Sequence, residues 1–165
     1  MKKTFKVNIY IETDEAGVRK QYRGYGAIVE FVLKNGVPET REDYGLEEAT
    51  GNQIVLLALI EALKRLTKPC SITIYMNNRY VSENIRFGRI YEWLANGWRT
   101  ARNEQIANMK EWQELLPLIE GHELIFSCAK DHSYKKVMQG EIKKTKDQGV
   151  AWKQQRLDQQ EENIT

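Results

Sequence analysis

Two acidic residues, Glu12 and Asp14, fall at or just past the end of FKVNIYIE (5–12), whose apolar and polar residues alternate as in a β-strand. A carboxylate at a strand end can ligate a cation or act in acid–base chemistry, or it can simply be solvated. A second strand end, in SITIYMNNRYV (71–81), carries Asn77 and Asn78. One Asn there is an ordinary turn residue; two of them before a helical segment pose a choice. Asn78 fits a helix N-cap, whereas Asn77 stands where a polar group could hold a ligand. A third constellation is basic and aromatic. Arg79, Arg86, Arg89, Arg99 and Arg102 are interleaved with Tyr91, Trp93 and Trp98, a pattern suited to nucleic-acid backbone contacts plus stacking, or to a solvated surface with the Trp residues packed inward.

Other chemistries have little to work with. His122 and His132 are the only histidines, and Cys70 and Cys128 the only cysteines, with no zinc spacing and no disulfide framework. That usage suits a reducing, cytoplasmic setting. The N-terminal MKKTFKVNIYIETDE is basic but too short in its apolar run for a signal peptide, and no segment approaches a membrane span. The net charge of +2 is too small to argue nucleic-acid binding by itself, so that function needs a local basic patch.

The elements that must position these residues follow from periodicity. RGYGAIVEFVLKNG (23–36) predicts a second strand and a turn at Asn35-Gly36, and a short third strand is expected over Thr40 to Leu46. ATGNQIVLLALIEALKRL predicts a helix capped by Thr50, with an apolar run wide enough for burial on more than one side. After the strand ending at Tyr75, helices are expected from Arg79 to about Gly88 and from Ile90 to Ala95, then a polar loop over 96–108. MKEWQELLPLIEG (109–121) predicts a helix with Trp112, Leu115, Leu116 and Ile119 inward and a kink or early end at Pro117. HELIFSCAK (122–130) is the last strand, and KKVMQGEIKK begins a terminal helix. The expectation is an α/β domain over 1–150, a five-stranded mixed sheet flanked by helices, followed by a charged, Gln-rich tail over 151–165 without secure order past about Trp152.

These segments, in this order, resemble type 1 ribonuclease H over roughly residues 5 to 142. GYGAIVE (24–30) resembles that family's second strand. GNQIVLLALIEALKRLTKPCSITIYMNNRYV (51–81) aligns without gaps with its central helix and the following strand end. GWRTARNEQIANMKEW (97–112) resembles its handle segment, and KDHS (130–133) the loop before its last helix. The resemblance implies a ribonuclease H-like fold and, in the family, two-metal hydrolysis of RNA–DNA hybrids. Two Mg²⁺ ions about 4 Å apart repel by roughly 17 kcal/mol at an effective dielectric of ~20, which only clustered carboxylates and the scissile phosphate can offset.

Carried over position by position, the family's four carboxylates fall on Glu12, Val55, Asn77 and Ile142. Asp14, Glu141 and His132 are secondary candidates, and Glu47 and Glu48 could join a rebuilt acidic cluster. Without metals, His132 is expected to be a surface loop residue. Glu12 at most is a metal ligand, because Asn supplies no charge and Val no donor. The resemblance also implies backbone contacts to nucleic acid at Thr50, Asn52, Trp98, Arg99 and Arg102. The first expectation is therefore a catalytically impaired or inactive family member that binds an RNA–DNA hybrid or duplex and requires no cofactor. The alternatives are a divergent ribonuclease using Mg²⁺ or Mn²⁺ at a rearranged site, and a protein-interaction scaffold.

Overall fold

The computed structural model describes residues 5–14, 16–128 and 130–164; the first four residues of the basic N-terminal stretch and residue 129 of the expected last strand lie outside these. The chain runs β1 (Phe5–Thr13), β2 (Gln21–Val32), β3 (Pro38–Ala49), α1 (Gly51–Leu63), β4 (Cys70–Tyr75), α2 (Arg79–Arg86), α3 (Arg89–Ala95), α4 (Met109–Ile119), β5 (Glu123–Ser127) and α5 (Lys135–Ile164). The five strands form one mixed sheet in the order β3-β2-β1-β4-β5. Strands β1 to β3 pair antiparallel, while β4 runs parallel to both β1 and β5.

The strand alternation divides the sheet into two faces. Val7, Ile9 and Ile11 of β1, with Ala27, Val29, Ile72 and Ile74 of its neighbours, belong to the main core with α1. Nine of the thirteen α1 residues are buried, which explains the unusually wide apolar run: the helix is covered by the sheet on one side and by α4 on the other. Tyr10 and Ile28 point the opposite way and pack under Met138 of α5. Trp112 of α4 is fully buried, edge-on to Trp93 and Tyr80, with centroids 5.2 and 6.0 Å away.

Several elements differ in extent from the sequence expectation. Strand β3 spans twelve residues, from Pro38 to Ala49, because its whole length pairs with β2 in unbroken register. Its weak alternation hides this, since much of the strand is solvent-facing. The hairpin loop is 33–37, with Gly36 at φ 77°, where a side chain would be strained. Helix α4 carries Pro117 inside its last turn and ends at Ile119. The backbone of α5 stays helical to Ile164, well past Trp152.

Candidate functional site

The ends of β1 and β4 open into a pocket of about 250 Å³, lined by Ile11, Glu12, Thr13, Asp14, Ala16, Val55, Met76, Asn77, Lys135 and Gln139. Parallel pairing of β1 with β4 brings the two strand ends together, since Tyr10 lies opposite Tyr75. Helix α1 supplies Val55 from below, and α5 supplies Lys135 and Gln139 from above. Glu12, Val55 and Asn77, far apart in sequence, thus share one cavity.

Glu12 is not a solvated strand end. Its side chain is 15% exposed, and both oxygens are engaged. Oε1 lies 3.0 Å from His132 Nε2, while Oε2 accepts from Gln139 Nε2 at 3.1 Å; the same amide also reaches the Thr13 carbonyl at 3.3 Å. His132 Nδ1 accepts the Tyr134 backbone N–H at 3.2 Å, which leaves the ring proton on Nε2 and aims it at Glu12. The surface-loop expectation for His132 is therefore corrected: its side chain is 7% exposed and its ring tilts over Tyr10, centroids 4.8 Å apart. Tyr10 in turn stacks on Tyr75 at 4.6 Å. Burial, then the nearby Glu30 charge, pushes the Tyr10 phenol up to about 12. The Tyr134 hydroxyl donates to Glu30 and is likewise raised to about 12, by that hydrogen bond first and then by burial.

Asp14 continues β1 by donating its N–H to the Gly24 carbonyl at 3.2 Å. Its carboxylate is 14% exposed, with Oδ2 2.7 Å from Lys146 Nζ. Val55 is 6% exposed and packs in the core, and Asn77 is exposed at the pocket mouth. Ile142 is buried; it packs so tightly on β2 that a Cβ at Gly24 would come within 2.8 Å of its Cγ2. Glu141 lies outside the pocket lining and pairs at 3.4 Å with Lys144. Glu47 and Glu48 are exposed on β3, outside the pocket lining. Among the described residues, no three His, Cys, Asp or Glu side chains converge as a metal group. Glu141 and Glu48 lie outside the pocket that Glu12 and Asp14 line.

The residues missed in the sequence are Lys135, Gln139 and Lys146. With Ile142 they recur at i, i+4, i+7 and i+11, one stripe of α5 facing β1 and β2. That period was legible, but a stripe of polar residues does not announce its partner.

A second polar region adjoins the pocket. Thr50 Oγ1 caps α1 by accepting the Gln53 N–H at 3.2 Å. Asn78 Oδ1 caps α2 through the Val81 N–H at 2.9 Å, and its amide donates to Asn52 Oδ1 at 3.0 Å, tying the two helix starts together. The α1 start also fits the 16–20 loop closely: a Cβ on Gly51 would lie 2.8 Å from the Gly17 nitrogen. Buried Arg23 holds that loop by donating to the carbonyls of Arg19, Ala49 and Ala16. In the handle, Gly97, Trp98, Asn103 and Asn108 all adopt positive φ, and an Arg99–Gln105 bridge closes it. Trp98 packs half-buried against the core, whereas Arg99 and Arg102 are exposed. Arg86 and Arg89 lie 5.6 and 5.7 Å from the ring of Phe87, which is 60% exposed.

The RNase H family model matches residues 6–143, nearly the whole sheet and the start of α5. The chain belongs to the RNase H family. It is 33% identical over 128 residues to a ribonuclease H of Lachnoclostridium phytofermentans, covering 77% of this chain and 81% of that one. A Bradyrhizobium diazoefficiens ribonuclease H is 36% identical over 110 residues, covering 67% and 68%. Among solved structures, LC9-RNase H1, described as a type 1 RNase H with the type 2 active-site motif, superposes with a TM-score of 0.67 at 21% identity, over 87% of this chain and 71% of that one. A foamy viral protease-reverse transcriptase in complex with RNA/DNA hybrid matches 88% of this chain with 20% of its own, at a TM-score of 0.59 and 14% identity.

Two divalent cations need several uncommitted anionic oxygens. This pocket offers Glu12, already bonded to His132 and Gln139, and Asp14, already paired with Lys146. At the remaining positions stand an amide and aliphatic side chains. That set does not fit a metal pair.

Proposed function

We infer that this RNase H family member holds duplex nucleic acid, an RNA–DNA hybrid in the first instance, without hydrolysing it. The observation that carries the reading is Val55: an aliphatic side chain built into the core at a position where the resemblance calls for a metal ligand. The engaged state of Glu12 supports it. A nucleic-acid ligand is supported by the exposed Arg99 and Arg102 of the handle and, separately, by the paired helix starts of α1 and α2, where N–H groups favour anions. A cytoplasmic setting is part of the same proposal and suits two free thiols, Cys70 and Cys128.

A second reading, a divergent hydrolase, draws on two observations. Relatives at 33% and 36% identity carry the name ribonuclease H, and LC9-RNase H1 is described as having an active-site motif of another type. One experiment separates the readings. A labelled RNA–DNA hybrid is incubated with the protein in Mg²⁺ and in Mn²⁺, with Glu12→Gln alongside, and binding is titrated in EDTA. The non-cleaving reading expects no metal-dependent cutting, together with affinity that persists in EDTA and declines with salt. Cutting that Glu12→Gln abolishes would replace it with the hydrolase reading.

A further inference from the structure

The pocket's two carboxylates are answered by groups from one end of the molecule, the stretch from His132 through α5. Glu12 receives two N–H donors from there. Asp14 receives a full positive charge: Lys146, three turns along α5 from Lys135, places Nζ 2.7 Å from Oδ2. Asp14 needs such a partner. It lies beside Ile11, Val55 and Met76 in the pocket wall, and among the described residues neither of its oxygens has a hydrogen bond, so the Lys146 contact at Oδ2 is an ion pair alone. A carboxylate so placed must neutralise itself, bind a cation, or be paired. Lys146 is itself 30% exposed, so its ammonium is delivered toward Asp14 rather than released to solvent.

We propose that Lys146 is the pocket's resident cation, an ammonium built into α5 that carries the positive charge a divalent ion would otherwise bring to the β1 end. The proposal rests on the non-cleaving reading of the pocket but not on nucleic-acid binding, so each can fail alone. A phosphodiester approaching this pocket meets Asp14 already opposed by Lys146, while the Lys135 ammonium donates to the Lys130 carbonyl. Repulsion by the Asp14 carboxylate is offset without a metal.

The test uses the full chain and its Lys146→Met, Asp14→Asn and doubly substituted forms. Each is melted in EDTA and in Mg²⁺ at matched ionic strength, and its amide resonances near residues 12–14 are followed with added Mn²⁺. The unaltered protein should melt within about 1 °C under both conditions and show no Mn²⁺ broadening there. Lys146→Met should melt about 4–8 °C lower in EDTA, recover part of that loss in Mg²⁺, and acquire Mn²⁺ broadening at Glu12 and Asp14. The double variant, with neither charge, should melt above Lys146→Met and ignore the metal. Mn²⁺ broadening in the unaltered protein at similar concentrations would overturn the proposal. So would additive losses in the double variant, which would mean that Lys146 acts by packing alone. If Lys146→Met does not fold, the double variant decides: the proposal requires it to fold, and its failure sinks the idea.

Discussion

The β1-end pocket and the neighbouring basic surface are both rich in polar groups, yet they spend them differently. In the pocket, Glu12 and Asp14 are largely buried and each already has an internal partner. On the surface formed by α2, α3 and the handle, Arg89 donates to buried Asn84, but the other cations are held loosely. Arg79 shares Glu83 while 83% exposed, Arg99 donates to the Asn103 carbonyl, and Arg102 makes no hydrogen bond or ion pair among the described residues. A polar group whose bonds are satisfied inside the fold contributes stability and has little left for a ligand; a solvated guanidinium contributes little stability and can meet a phosphate at small cost. The contrast separates the part of this RNase H family member that holds its own fold from the part with exposed, lightly engaged cations.

That contrast can be broken most forcefully at Val55. Val55→Glu places a carboxylate in the core side of the pocket and should cost about 3 kcal/mol in denaturant unfolding without metal. A variant that unfolds like the parent and gains Mn²⁺ affinity would mean the pocket is closer to a metal site than its present contacts imply. Next, Arg99→Ala with Arg102→Ala should weaken hybrid binding on the order of tenfold and flatten its salt slope by about two, with stability changed by less than about 0.5 kcal/mol. Equal losses in affinity and stability would erase the distinction. Glu12→Gln should do the converse: it should lose about 1–2 kcal/mol by weakening two charge-assisted bonds, with affinity in EDTA unchanged. Asn78→Ala, at the seam between the regions, removes a cap and the tie to Asn52, and should cost about 1 kcal/mol.

The smallest effect lies outside both regions and serves as a control. Burial holds the His122 ring, which accepts the Cys70 N–H at 3.0 Å, below the ordinary histidine range. Its folded pKa is thus lower than its unfolded one, so the unfolded chain binds more protons on acidification. The contribution is complete above about pH 6.5 and is lost as pH falls through the folded value. His122→Gln should make the melting temperature less sensitive between pH 7 and 5, leaving hybrid binding unaltered.

Much of this molecule could be read from local pattern. The alternation in FKVNIYIE, the turn at Asn35-Gly36, the caps at Thr50 and Asn78, and the inward set Trp112, Leu115, Leu116 and Ile119 are all found in the structure. The extent of β3 was not legible, because an edge strand with a largely solvated surface carries no apolar period. His132 was misread for a related reason. A lone His in a polar loop looks solvated until the strand carrying Glu12 and the rings of Tyr10 and Tyr75 are placed around it.

The elements, their order and the family follow from the chain alone, because propensity, capping and motif spacing are properties of neighbours along it. Only the tertiary structure decided which groups face one another: that Glu12 is closed by His132 and Gln139, that Asp14 is answered by Lys146, and that Glu141 is turned away. Those outcomes depend on the docking of α5 across β1 and β2, over more than a hundred residues of separation. In a partly desolvated pocket, the partner a charge finds, rather than its residue type, sets what chemistry it can still do.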